Sequence, residues 1–268
     1  MGYKTNISWC DSTWNPVTGC TPISEGCEHC YGAAYARRGL GDWSVKARKF
    51  CDIWEHPERL SQPYEWKIPR RIFVCSMGDL FHDNVTTGRI VDVLTTMQYE
   101  SHHTYFVLTK RPERMRQIVK RIATMPPAWP PTNVWFGVTA ENQARADERI
   151  PILLDTPAAH RFVSIEPLLG DIRLDWIKEP SHVIDALRGY RAEVNSLEPK
   201  TEHPKLDYVI VGGEKGANAR PCDIEWVRNI RDFKVNVPFH FKGYGRHIPP
   251  GQEQGKIDGV EYREVVAL

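Results

Sequence analysis

Seven short apolar runs recur along the chain, and each stops abruptly at polar or glycine residues. They fall at 6–9, 71–75, 104–108, 133–138, 161–165, 207–211 and 237–241, the first being the weakest. The other six are β-branched or aromatic and almost continuously apolar, which predicts strands covered on both faces. Between the runs the apolar period changes. Ile90, Val91, Leu94 and Met97 recur at helical spacing in 87–99, as do Met115, Ile118, Val119 and Ile122 in 112–122. Ala144, Ala146, Ile150 and Leu153 mark a helix over 142–154, which Pro151 is expected to break or kink. Trp226, Val227 and Ile230 mark another over 224–233.

Strand–helix alternation predicts a parallel sheet with right-handed crossovers. Seven strands predict an α/β fold, a complete or partial TIM-like parallel β/α barrel, with an open doubly wound sheet as the alternative. Residues 1–268 are expected to form a single domain. The polar stretch 178–205, with Pro180, Pro199 and Pro204, predicts a surface insertion between the fifth and sixth strands, with a short helix at 182–191. Residues 125–131 hold four prolines and predict a stiff linker into the fourth strand. Residues 50–69, rich in Trp, His and Pro, predict a segment covering the first long connection.

Composition narrows the class. The 268 residues are 41% hydrophobic and 26% charged, enough to bury a full core. A net charge of +1 supplies no global basic field for nucleic acid. The first residues carry no apolar signal region, no run is long enough to span a membrane, and Asn6 stands where myristoylation wants serine or threonine. Seven cysteines, odd in number and mostly scattered, suit a reducing cytoplasm, so a cytoplasmic location is expected.

Three of those thiols, Cys20, Cys27 and Cys30, crowd into eleven residues bent by Gly19, Pro22 and Gly26. From Tyr31 the sequence becomes helix-friendly and stops at Gly39, so the last thiol sits where a loop enters a helix. Free N–H groups at a helix start favour thiolate and anionic clusters. Three clustered thiolates can hold an iron–sulfur cluster and leave one iron open; a closed zinc site needs a fourth ligand, which Cys10 or His29 could supply. Spacing alone leaves both open.

In a parallel barrel the active site lies at the carboxyl ends of the strands. Every expected strand from the second onward ends in polar residues of functional type: Ser76 and Asp79, Lys110 and Arg111, Glu141 and Asn142, Glu166, Glu214, and Lys242. They are expected to gather with the cysteine loop around one mouth. Gly212-Gly213 before Glu214 predicts either a close ligand approach or a tight turn; neither a dinucleotide fingerprint nor a P-loop is present.

A set of motifs carries a resemblance over nearly the whole chain, from Thr5 to about Gly245. It includes Thr13-Trp-Asn-Pro-Val-Thr-Gly-Cys20, Gly26-Cys-Glu-His-Cys-Tyr31, Ser76-Met-Gly-Asp-Leu-Phe-His82, Val107-Leu-Thr-Lys-Arg-Pro-Glu-Arg-Met115, Ala146-Asp-Glu-Arg-Ile-Pro151, Glu166-Pro-Leu-Leu-Gly170, Val209-Ile-Val-Gly-Gly-Glu214 and Phe239-His-Phe-Lys242. Together they resemble the phage-associated three-cysteine-motif proteins, a divergent branch of the radical S-adenosylmethionine (SAM) superfamily. The spacing of six and then two residues between thiols departs from the superfamily's three and two, and Gly243-Tyr-Gly245 replaces the Gln-Trp-Gly found in family members.

The resemblance implies a radical SAM enzyme. Cys20, Cys27 and Cys30 would ligate a [4Fe–4S] cluster, and SAM would chelate the open iron. An external one-electron donor would drive cleavage to methionine and a 5′-deoxyadenosyl radical. Within that frame Ser76 and Asp79 are candidates for the methionine amine, Lys110 or Arg111 for its carboxylate, and Glu141 or Asn142 for the ribose. Glu166, Glu214 and Lys242 are left for substrate, a nucleotide or nucleic-acid base in a phage context. The alternative is a zinc-stabilised binding or scaffold protein without SAM chemistry.

Overall fold

A computed structural model describes residues 5–44, 48–124, 129–194, 201–233 and 236–267. The described residues fall into two compact units, one taking residues up to 136 with 157–159, the other 137–156 with 160–267.

The first unit is built on β1 (Ser12–Trp14), with β2 (Val17–Thr18), α1 (Tyr31–Arg37), β3 (Trp54–Glu55), α2 (Gln62–Glu65), β4 (Arg71–Val74), α3 (Thr87–Tyr99), β5 (Thr104–Thr109), α4 (Pro112–Ile122) and the start of β6 (Val134–Thr139). Strand β4 lies between β1 and β5 and pairs with both in parallel, Ser12 opposite Ile72 and Phe73 opposite Phe106. Ile72, Val74, Tyr105, Phe106 and Val107 are fully buried, as strands covered on both faces require. Helix α3 starts at Thr86, whose hydroxyl accepts from Arg89 N, and buries Ile90, Val93, Leu94 and Met97; Val91 points to solvent instead. Helix α4 buries Met115, Ile118 and Val119.

The expected strand at 6–9 is a turn, and the first strand is Ser12–Trp14. Trp9 is drawn inward by ring contacts with Phe73 and Phe106, at 4.8 and 5.4 Å, rather than by a ladder. Ser12 is buried, and its hydroxyl receives Arg70 Nη1 at 3.0 Å. The covering segment at 50–69 folds back on the chain, with β3 antiparallel to β2 and Trp66 buried.

The second unit contains the rest of β6, α5 (Gln143–Leu154), β7 (His160–Ile165), β8 (Ile177–Lys178), β9 (His182–Asp185), β10 (Tyr190–Glu193), β11 (Thr201–Glu202), β12 (Tyr208–Gly212), α6 (Ile224–Phe233), β13 (Phe239–Gly243), β14 (Lys256–Ile257) and β15 (Val260–Glu261). Strand β12 pairs in parallel with β7 and β13. Gly137 in β6 leaves room for a ring: a Cβ there would lie 2.4 Å from Phe162.

Seven strands form one sheet in the order β1-β4-β5-β6-β7-β12-β13. That order never reverses along the chain, which is the winding of a TIM-like barrel; a doubly wound sheet has a reversal point. Sheet order thus agrees with the expected partial β/α barrel.

Helix α5 runs through Pro151. The proline stands in the last turn, where its missing N–H deprives only the Asp147 carbonyl, and buried Ile150, Leu153 and Leu154 hold the helix down. The helix expected at 182–191 is a β9–β10 hairpin within a four-stranded sheet of order β11-β10-β9-β8. Its turn is set by Gly189 at φ +76° and by the Asp185 carboxylate, which accepts from Leu187 N and Arg188 N. Of the linker at 125–131, residues 125–128 lie outside the described residues.

Candidate metal centre and strand-end polar clusters

The cysteine loop is laid directly over the turn that follows β4. Gly19 N donates to Met77 O at 2.9 Å, and Gly19 bridges Gly78 in parallel. A Cβ on Gly78 would lie 3.0 Å from Gly19 O, and one on Gly19, at φ +97°, would lie 2.4 Å from Asp52 O. Two glycines therefore allow backbone to touch backbone where side chains would hold it apart. Asn15 secures the same turn, its Oδ1 accepting from Ser76 Oγ at 3.2 Å and Met77 N at 2.9 Å. Beyond Gly19, Cys20 N reaches Phe50 O, a short 3-10 turn spans Glu25–Cys27, and Cys30 stands at the N-cap of α1. The Tyr31 hydroxyl donates to Ser76 O, and Gly39 at φ +65° follows the end of α1. Cys20, Cys27 and Cys30 are half-buried and outside any disulfide.

Arg111, just past β5, reaches into this loop. Its buried guanidinium donates through Nη1 to Cys20 Sγ at 3.5 Å and to Asp79 Oδ2 at 3.1 Å, and through Nη2 to Thr21 O and Oγ1 at 3.1 and 3.0 Å. Asp79 is itself buried. Its oxygens accept from Thr109 Oγ1 at 2.8 and 3.0 Å, Phe81 N at 2.9 Å and Lys110 N at 3.4 Å. His82 Nδ1 accepts from Asn84 N, so its Nε2 carries the proton and donates to Thr21 Oγ1 at 2.8 Å. Burial, and then the Asp79 charge, push the Cys20 thiol up to about 11; Arg111 pulls the other way. Burial first and Arg111 second hold His82 below its ordinary value.

The first unit thus brings Cys20, Asp79, Arg111 and the Lys110 backbone together, with Ser76 fixed on the same turn through Asn15. Thr21, His82, Thr109 and Asn15 complete the cluster and were not singled out by sequence reasoning. Each lies inside or beside a quoted motif, which is the signal that could have found them.

In the second unit the expected residues are each tied to a local partner. Glu141 and Arg149 form a wholly buried pair at 2.9 Å, and Arg149 also donates to Thr139 O. Asn142 caps α5, its Oδ1 accepting from Arg145 N at 3.0 Å. Lys242 Nζ lies 2.6 Å from Glu166 Oε1. Arg220 grips Glu214 from Nη2 and Nε at 2.6 and 2.9 Å. Gly212-Gly213 serves close backbone approach: a Cβ on Gly213 would lie 2.1 Å from Tyr244 O, and Gly213 N donates to Gly243 O.

The donor set of the loop fits an anionic iron–sulfur cluster: three sulfurs, with a guanidinium already on one of them. Cys10 is badly placed as a fourth ligand. Asp11 N bonds to Arg71 O at the start of β4, whereas Gly19 N bonds to Met77 O beyond its end. The length of strand between them puts Cys10 on the order of 15 Å from Cys20, too far to share an ion. Among the described residues, no helix is long and apolar enough to cross a membrane. Residues 4–265 match the model of a family described as Protein of unknown function (DUF5131). No curated protein and no solved structure matches the chain.

Proposed function

We propose that this chain, which belongs to the DUF5131 family, is a radical SAM enzyme that modifies a nucleotide or nucleic-acid base in a phage setting. The observation that carries the proposal is the cysteine loop, with three free thiols within eleven residues and the Arg111 guanidinium on Cys20. Cys20, Cys27 and Cys30 would hold a [4Fe–4S] cluster, and three thiols leave it open to SAM. A bound cluster, fed by an external one-electron donor, would supply one-electron reduction chemistry toward SAM.

The chain's own residues do the holding. Arg111 offsets negative charge on the Cys20 sulfur, and Asp79 keeps Arg111 aimed at it. Asp79 already accepts protein donors on both oxygens, so its assigned role is to position Arg111, while the Ser76 hydroxyl and the Lys110 ammonium are assigned to the methionine end of SAM. Backbone contact of Gly19 with Gly78 keeps the two loops in register. A net charge of +1 gives no support to tight duplex binding.

Anaerobic reconstitution tests this. About four irons and four sulfides per chain are expected, with an electron paramagnetic resonance signal of the reduced protein that shifts on adding SAM. Cys27→Ala should abolish both. One tightly held zinc with no cluster after reconstitution, or a signal indifferent to SAM, would overturn the proposal.

A further inference from the structure

The turn between α3 and β5 carries a second group of metal-ligating side chains. One donor atom from each of Glu100, His102 and His103 lies within 4.8 Å of the others. Glu100 Oε2 is 3.6 Å from His102 Nδ1. The far nitrogens are occupied: His102 Nε2 is 2.9 Å from Trp66 O and His103 Nε2 is 3.2 Å from Pro63 O. A carbonyl only accepts, so each ring carries a proton on Nε2, and the neutral ring presents an Nδ1 lone pair. His103 is 1% exposed, and its Nδ1 is buried without a hydrogen-bond partner. Buried polar atoms are normally satisfied, so this one is an acceptor awaiting a donor or an ion.

We propose that Glu100, His102 and His103 form a binding site for a zinc-class divalent cation, separate from the cysteine loop. Two imidazoles and a carboxylate are a donor set that zinc takes, leaving a fourth position for water. A backbone carbonyl on the far nitrogen is the arrangement that orients a metal-bound imidazole and fixes its tautomer. Tetrahedral ligands at about 2.0–2.1 Å from zinc lie about 3.3 Å apart. Glu100 and His102 already stand near that spacing, and the exposed His102 side chain has room to close the rest. The rings also brace the site, with His102 and His103 centroids 3.9 Å apart and His103 edge-on to Trp66 and Tyr105. The bound ion ties the α3–β5 turn, through both imidazoles, to the 63–66 segment.

Position separates this site from the cluster. His103 precedes β5 and Thr109 ends it, six residues away, or about 20 Å along an extended strand. Iron–sulfur chemistry at Cys20 and cation binding at His103 therefore stand or fall independently.

Cobalt(II) titration of the full, iron-free chain distinguishes the two. Cobalt on thiolates gives intense near-ultraviolet charge transfer, whereas nitrogen and oxygen ligands give only weak visible bands. One equivalent of the weak-band type is expected, displaced by zinc, retained in Cys27→Ala, and weakened by at least about tenfold in His102→Ala and in Glu100→Gln. His102 is exposed, so its variant is expected to keep the fold, checked by circular dichroism; Glu100→Gln, close in shape, is the second check. Undiminished binding in both variants, or thiolate-type binding alone, would overturn the site.

Discussion

At the scale of single residues, the cysteine loop is governed by a competition for one guanidinium. Arg111 serves Cys20 and Asp79 at once, and the two charges beside the thiol act in opposition: Asp79 raises the Cys20 pKa and Arg111 lowers it. In metal-free protein, Cys20 should therefore resist iodoacetamide until strongly alkaline pH, near its value of about 11. Arg111→Ala should move the alkylation midpoint further up and Asp79→Ala should move it down, read by mass spectrometry across a pH series. Asp79→Ala also strands a buried cation, and should lower unfolding free energy by about 3–5 kcal/mol in urea titration. Arg149 and Arg220 teach a related lesson. Arg149 sits in a motif visible in the sequence, but the carboxylate partners of the two arginines, Glu141 and Glu214, are eight and six residues away. Strand-end position marked the carboxylates; nothing local marked which cation each one takes.

At the scale of elements, glycines decide how closely loops approach. Gly19→Ala would place a Cβ against Asp52 O at a φ that side chains rarely adopt. A loss of at least about 1–3 kcal/mol is expected from the conformation alone, together with reduced iron retention under matched reconstitution, because Cys20 is the next residue. The pair Gly213 and Gly245 plays the same part in the second unit, where Arg246 N bonds to Glu214 O. Elements with strong periodicity, such as α3, α4 and the β4, β5 and β12 strands, were legible from the sequence because one repeating burial pattern specifies them. The β9–β10 hairpin was not: its four-residue strands are too short for alternation to outweigh helix-friendly Ala186 and Leu187, and Gly189 closes the turn. The β14–β15 hairpin turns on Asp258-Gly259, both at positive φ, a strong two-residue turn signal.

For the whole molecule, pH dependence follows from buried histidines. His56, His82 and His240 are buried, and desolvation is the first cause holding each below its ordinary value. The unfolded chain then binds protons more readily than the folded one, so the stability they contribute is present above about pH 6.5 and is lost as pH falls through the lower folded values. Urea midpoints should drop between pH 7.5 and 5.5, and His82→Gln should flatten that slope. What could be read along the chain is what depends on near neighbours: strand and helix periods, their order, and a loop of three thiols bent by glycine. Those follow from burial of one face and from backbone conformations that only certain residues allow. The pairing of Arg111 with Cys20, the distance of Cys10 from that loop, and the meeting of Glu100 with His102 and His103 beside the carbonyls of 63 and 66 belong to the folded chain alone. Electrostatic and metal-ligand contacts act over a few ångströms through space, and folding sets those distances by register and packing across segments separated by tens of residues.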